Sequence, residues 1–93
     1  MMRPLLPGDL DTGVRALLAV PPARRPPLAR RLVAAARAAE RHRAVTGKAH
    51  PRHGTGSLAS AAMTGPLAPL PGHCDRAYRA CLALLIEACR SLP

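Results

Sequence analysis

The sequence predicts an all-α protein, a compact domain of three to four helices with a long ordered central loop. Nineteen alanines and fourteen leucines among 93 residues favour helix, and valine and isoleucine are scarce. No segment alternates apolar and polar residues as a half-buried strand would. The single Tyr, with no Phe or Trp, makes the expected core aliphatic. A chain of this length forms one small domain at most, and we assign residues 1–93 to it.

Each predicted helix is bounded by residues that favour a helix end. Asp9 and Asp75 stand where a carboxylate caps the amino end of the first and last helices. Pro21 ends the first helix, and Pro27 begins the second, because proline is accepted only in the first turn of a helix. The expected ranges are about 9–20, 27–46, 57–63 and 75–91.

A proline-rich connector separates the last two predicted helices. It contains Pro66, Pro69 and Pro71 and lacks polar low-complexity sequence. We therefore expect it to be irregular but ordered, and to pack along the domain.

The central loop is the first place to look for a site. Gly47 is expected to end the long helix, and Ser57 to cap the short helix that follows. Between them, a stiff polar part precedes glycines that let the backbone turn sharply. The loop residues singled out are Thr46, Gly47, His50, Pro51, His53, Gly54, Gly56 and Ser57.

The histidines and cysteines supply ligands of the kind that zinc binds. His50 and His53 are three residues apart, with His42 upstream and His73 beside Cys74 downstream. No CxxC or HExxH frame is present, and Pro51 constrains the first pair. We therefore predict neither a metal nor another cofactor.

Nucleophilic catalysis is the weakest hypothesis. Cys74 beside His73 is a candidate for an activated thiol. The spacings of seven and eight residues from Cys74 to Cys81 and Cys89 instead favour small buried side chains on one helical stripe. Ser57 has no neighbouring carboxylate to orient His53. We predict a protein that is not an enzyme, and we identify no small-molecule substrate.

Basic charge is concentrated on the long predicted helix. Fourteen basic residues against five acids give a net charge of +9, which favours polyanions in general. Arg30, Arg37 and Arg41 form a stripe that can contact phosphates, although the P-loop spacing and the aromatic residues that stack on bases are absent. The opposite, buried face is expected to contain Leu28, Leu32, Ala35, Ala39 and Thr46.

The last predicted helix has an apolar arc around roughly half its circumference, wider than a one-sided surface helix needs. Such an arc fits either contact with another chain or complete cover by the first two helices. We expect contact with an unknown protein partner or with a second copy. The candidate interface residues are Tyr78, Leu82, Leu85 and Leu92.

The compartment predicted from sequence is the cytoplasm. The residues before Val14 lack the apolar core of a signal peptide. The longest apolar run, residues 80–86, is far below the roughly 20 residues that span a bilayer. Three cysteines do not suggest a disulfide framework, and no membrane association is expected.

One stretch resembles a known family. RHRAVTGKAHPRHGTGSL, preceded by LLAVPPARRPPLARRL, is similar to a family of small uncharacterised alphaproteobacterial proteins, a domain of unknown function. The resemblance covers nearly the whole chain, and its most specific parts are Thr46-Gly47, His50-Pro51 and Gly54-x-Gly56-Ser57-Leu58. That family's pattern has an aromatic residue at the position of His53, which makes His53 a poor candidate for a shared ligand. The resemblance implies no activity.

Two main functional hypotheses follow, and a third, a small metalloprotein or hydrolase built on His50 and His53, would require bound metal in the purified protein. The first is a non-enzymatic helical accessory protein that binds another protein or itself through the last helix. The alternative is a nucleic-acid-associated protein that contacts phosphates through Arg30, Arg37 and Arg41. These hypotheses differ in the salt dependence of binding, because phosphate contacts weaken steeply with added salt.

Overall fold

A computed structural model describes residues 7–49 and 58–91. These residues form helices and no strand, so the predicted all-α class is confirmed. The predictions for residues 50–57 of the central loop, and for Leu92, lie outside the described residues. The helices are α1 (Pro7–Leu18), α2 (Arg25–Thr46), α3 (Leu58–Ala62) and α4 (Arg76–Ser91), and a 3₁₀ turn (Pro22–Arg24) precedes α2.

The long helix α2 ends as the sequence predicts. Gly47 follows its last residue with φ 74°, in the left-handed region that glycine adopts most easily. The Gly47 N–H donates to the Arg43 carbonyl at 2.7 Å, which completes the last turn. At the other end, Pro26 and Pro27 occupy the first turn, where a missing N–H costs no helical hydrogen bond.

The cap prediction is correct for Asp75 and wrong for Asp9. Asp75 immediately precedes α4, and its carboxylate accepts a hydrogen bond from the Tyr78 N–H at 3.1 Å. Asp9 lies inside α1, because that helix begins at Pro7. Its carboxylate instead accepts from the Ala59 N–H at 3.2 Å, so it satisfies a donor in the first turn of α3.

The core lies where α1 and α2 both pack against α3 and α4. Gly13 of α1 permits this close packing. A Cβ atom at Gly13 would lie 2.8 Å from Leu85 Cδ1 and 3.5 Å from Leu58 Cδ2. The largest fully buried side chains are Val14, Leu17, Val33, Leu58, Cys81 and Leu85.

The buried face of α2 differs from the predicted one. Leu32 and Ala39 are buried as expected, but Leu28 and Ala35 are only partly buried, and Thr46 is exposed. The face is turned because α2 packs against α1, α3 and α4, so its buried side is set by three neighbouring helices. The buried residues of α2 are Ala29, Leu32, Val33, Ala36 and Ala39.

Arginine side chains hold the helix ends and the connector in place. Arg25 Nε donates to the Leu17 carbonyl at 3.0 Å and to the Val20 carbonyl at 3.2 Å. Leu17 lies in the last turn of α1 and Val20 lies two residues beyond that helix, where the regular helical hydrogen bonds end. Arg37 makes the same kind of bond to the Cys89 carbonyl of α4 at 2.8 Å. Part of the arginine excess is therefore structural.

The proline-rich connector packs along the domain, as predicted. Arg15 Nε donates to the Ala68 carbonyl at 2.7 Å, and the Ala68 N–H donates to the Arg15 carbonyl at 3.0 Å. Leu67 is partly buried against the core. This reciprocal pair fixes the connector to α1.

None of the described helices combines the length and apolar character that crossing a membrane requires.

Candidate functional site

An open apolar cleft of about 350 Å³ lies between α1, α2 and the end of α3. Three of its four buried lining residues are alanines (Ala16, Ala61 and Ala62), which leave room because alanine has no atoms beyond Cβ. Val20 and Leu28 are only partly buried and form part of its wall, and Gly65 and Pro66 form an exposed rim. The apolar residues lining the cleft are Ala16, Val20, Leu28, Leu32, Ala35, Ala61, Ala62 and Pro66.

A second depression of about 280 Å³ adjoins the first. The two share Val20, Leu28 and Arg31 as lining residues, and the second adds Arg24 and Pro27. We call the two depressions together the basic cleft. We call the first, mostly apolar depression the inner part and the second the outer part, where Arg24 joins the shared Arg31.

The two arginines of the basic cleft are exposed. Within residues 7–49 and 58–91, neither Arg24 nor Arg31 has a carboxylate or carbonyl partner. The amino end of α2 adds to the positive potential, because its first turn contains no acidic residue and its N-cap has no side-chain hydrogen bond. The cleft therefore favours a ligand that is both apolar and anionic.

The predicted interface on α4 is wrong for two of its four residues. Leu85 is fully buried, and Tyr78 is 6% exposed, both in the core of the single chain. The apolar arc of α4 is wide because α1 covers one part of it and α2 another. Leu82 is partly buried against the core, and Leu92 lies outside the described residues.

The predicted arginine stripe is not a uniform surface feature. Arg30 and Arg41 are exposed, but Arg37 is partly buried and bonds to α4. The stripe is interrupted because Arg37 lies beside the buried Val33 and Ala36 face, next to the end of α4. Two of the three predicted residues remain available to a polyanion.

The cysteines do not share one helical stripe, which corrects the prediction. Cys74 is exposed and precedes α4, whereas Cys81 is buried and Cys89 is partly buried. Burial raises the pKa of the Cys81 and Cys89 thiols, and the nearby Arg25 and Arg37 charges offset this only in part. Both thiols are therefore protonated near neutral pH.

One polar cluster joins α4 to α1. Tyr78 Oη donates to Asp11 Oδ1 at 2.6 Å, and His73 Nε2 lies 3.4 Å from Asp11 Oδ2. The His73 and Tyr78 rings are 4.9 Å apart between centroids. The hydrogen bond to Asp11 and the burial of the ring raise the pKa of Tyr78. The cluster stabilises the start of α4 against α1.

Among the described residues, no group of three or more His, Cys, Asp or Glu side chains is arranged to hold a metal ion. His42 lies on α2, and His73 lies in the connector near α1. His50 and His53 lie outside the described residues. The loop hypothesis for these two histidines stays a prediction.

A family model described as a domain of unknown function (DUF7742) matches residues 3–89. The chain belongs to the DUF7742 family. The expected resemblance to a domain of unknown function is confirmed, and the alphaproteobacterial origin stays a prediction. No curated protein and no solved structure matches this DUF7742 chain at a significant level.

The basic cleft of this DUF7742 member was not foreseen from sequence. Helical periodicity predicts Leu28 and Ala35 on the buried face of the second helix, whereas the structure places them in the lining of the cleft. A cavity depends on how three helices diverge, and helical periodicity carries no such information. One signal was available, since Leu28 and Arg31 are three residues apart and so lie on one side of a helix.

Proposed function

We propose that this protein is a non-enzymatic accessory domain that binds another protein at the basic cleft. The observation that carries the proposal is the pair Val20 and Leu28, partly buried apolar side chains that face an open cavity. Concave apolar surfaces with a few polar groups are the usual form of a binding site. The described lining of this proposed site contains no residue of α4, whereas the sequence predicts an interface on α4 itself.

The composition of the cleft argues against catalysis there. Its described lining contains no His, Cys, Asp or Glu. Its hydroxyl belongs to Thr64, whose Oγ1 donates to the Ala61 carbonyl at 2.8 Å. General acid–base or nucleophilic chemistry needs a titratable or activated group, which this lining does not offer. Binding is the chemistry that it supports.

The shape of the cleft favours a protein segment as the partner. Small side chains in the lining let a partner's backbone approach closely, as alanine does between packed helices. The exposed rim at Gly65 and Pro66 leaves an extended segment or a helix room to pass across. An apolar side chain of the partner would then occupy the inner part.

Co-purification with matched variants tests this proposal. Leu28→Glu places a carboxylate in the cleft, and Ile86→Glu places one on α4, where Ile86 is 43% exposed and outside the cleft. We expect a partner to accompany the wild-type protein and the Ile86→Glu variant, and to be lost with Leu28→Glu. Its identity and abundance would be measured by mass spectrometry, with circular dichroism confirming that both variants fold. A partner set unaffected by Leu28→Glu would refute the proposal.

Nucleic-acid binding is the second candidate, favoured by the exposure of Arg30 and Arg41 and by the net charge of +9. Duplex DNA binding would be titrated from low to moderate salt. This candidate predicts a steep salt dependence that is weakened by Arg30→Gln with Arg41→Gln, whereas binding at the cleft predicts no DNA affinity at moderate salt.

A further inference from the structure

We infer that the occupant of the basic cleft is an acidic segment of a different protein, with a leucine-like side chain in the inner part and carboxylates on Arg24 and Arg31. This inference rests on the proposed function and adds the chemistry of the partner. Three observations support it: the apolar inner part, the two exposed arginines of the outer part that have no carboxylate or carbonyl partner among the described residues, and the scarcity of acids in this chain.

Charge selects an anionic partner because the described lining of the cleft contains two arginines and no carboxylate. Arg25, next to Arg24 in sequence, is already bonded to the carbonyls at the end of α1. Arg24 and Arg31 have no such partner within residues 7–49 and 58–91, and both line the outer depression. A carboxylate that reaches both guanidinium groups would form charge-assisted hydrogen bonds.

The apolar part selects a side chain next to that carboxylate. Val20, Leu28 and Arg31 line both depressions, so an apolar group and an anion would lie side by side. Leucine next to aspartate or glutamate provides this combination within a single segment. Burial of the leucine would supply affinity, and the carboxylates would supply selectivity and a faster association rate.

This chain is a poor source for such a segment. It has five acidic residues, and Asp9, Asp11 and Asp75 accept hydrogen bonds within the fold. Residues 1–6, 50–57 and 92–93 contain no acid, and the first two of these segments each contain an arginine. A second copy would also bring a net charge of +9 toward an already basic surface. A different, acidic protein is the better match.

Three synthetic hexapeptides would test the inference by methyl NMR: acetyl-Glu-Glu-Leu-Leu-Glu-Glu-amide, its lysine-for-glutamate counterpart, and its alanine-for-leucine counterpart. We expect the first to shift the methyl signals of Val20, Leu28 and Leu32 saturably. The lysine and alanine peptides should bind about tenfold more weakly or not at all, because each lacks one of the two required features. Octanoate, a small amphipathic carboxylate, completes the panel.

Arginine variants provide the matched control. Arg24→Gln with Arg31→Gln should weaken binding of the glutamate peptide about tenfold and flatten its salt dependence. Arg76→Gln with Arg79→Gln removes the same charge from exposed positions on α4, outside the cleft, and should leave the affinity within about twofold.

The outcomes separate this inference from the proposed function. If the lysine and glutamate peptides shift the methyl signals of the cleft with equal affinity, the inference of an acidic partner is overturned. The proposal that the cleft binds a protein would stand. Saturable shifts with octanoate but with none of the peptides would overturn the inference in favour of a small carboxylate ligand. No cleft shift with any ligand would also overturn it. The co-purification experiment tests the proposed function by itself. That function would fail only if the Leu28→Glu variant retained every co-purified partner.

Discussion

The phenolic oxygen of Tyr78, at the start of α4, lies 2.6 Å from Asp11 Oδ1 in α1. This hydrogen bond joins α4 to α1 through two residues that are 67 positions apart in sequence. The ring is buried, and the acceptor is a carboxylate, which makes the bond stronger than one between neutral groups. The same ring was predicted to be a partner contact, and its polar end is instead satisfied within the chain.

Removal of the phenol tests this bond. Tyr78→Phe should lower the free energy of unfolding by about 1.5 kcal/mol, because the ring still packs but Asp11 loses its donor. His73→Gln is the matched control and should cost less than about 0.5 kcal/mol, since the His73 side chain is 67% exposed. Urea unfolding followed by circular dichroism measures both. Equal stabilities of wild type and Tyr78→Phe would contradict this role.

Alkaline pH should destabilise the fold in two overlapping steps. Burial raises the pKa of Cys81 and Cys89 in the folded state above their ordinary value of 9.0. The hydrogen bond to Asp11, together with burial, raises the pKa of Tyr78 above 10.0. As pH rises past these ordinary values, the unfolded chain loses protons that the folded chain keeps, so the free energy of unfolding decreases. The contribution is fully present below about pH 8 and is lost through the folded pKa values.

Urea unfolding under reducing conditions, at about pH 7.5, 9 and 10.5, measures this decline. The double variant Cys81→Ala with Cys89→Ala should show a smaller decline between about pH 8 and 9.5, whatever its stability at neutral pH. A free energy of unfolding that rises with pH over this range would contradict the predicted alkaline destabilisation.

Alanine substitutions at Arg37 and at Arg30 should differ in their effect on the free energy of unfolding, although both residues belong to the predicted stripe. Arg37→Ala removes the donor to the Cys89 carbonyl and should lower the free energy of unfolding by about 1–2 kcal/mol. Arg30→Ala changes an exposed residue and should fall within about 0.5 kcal/mol of wild type. Thermal and urea unfolding compare them. Similar costs for both would mean that the bond between α2 and α4 contributes little.

Leu85 distinguishes a core from an interface. It is fully buried beside Gly13, so Leu85→Ala should cost about 2–5 kcal/mol in the free energy of unfolding of the monomer. Light scattering should give the same molar mass for wild type and any folded Leu85 variant. A wild-type dimer that Leu85→Ala converts into a stable monomer would instead support the interface on α4 that the sequence predicts.

The sequence predicts local features well because they depend on neighbouring residues. Gly47 ends α2 and Asp75 caps α4, as each residue's own preferences dictate. Asp9 satisfies the same rule for a different helix, because Ala59 is 50 residues away in sequence and close in space. Sequence spacing does not reveal such a pairing.

The same limit explains why the sequence does not reveal that part of the predicted α4 interface is covered. The apolar arc of α4 is visible in sequence, but only the packing of α1 and α2 shows that Tyr78 and Leu85 are covered. The composition predicts an excess of arginine but not which residues cap carbonyls and which stay exposed. Arg25 and Arg24 are adjacent, yet one holds the end of α1 and the other lines the basic cleft.

Site-specific photocrosslinking in living cells tests the central claim most directly. A photoreactive phenylalanine would replace Leu28 in the basic cleft or, as the control, Ile86 on α4. We expect a discrete crosslinked protein at position 28 that is absent at position 86, and we expect acidic segments of this protein to carry the crosslink. A crosslink found only at position 86, or the same crosslinked protein at both positions, would contradict the assignment of binding to the basic cleft.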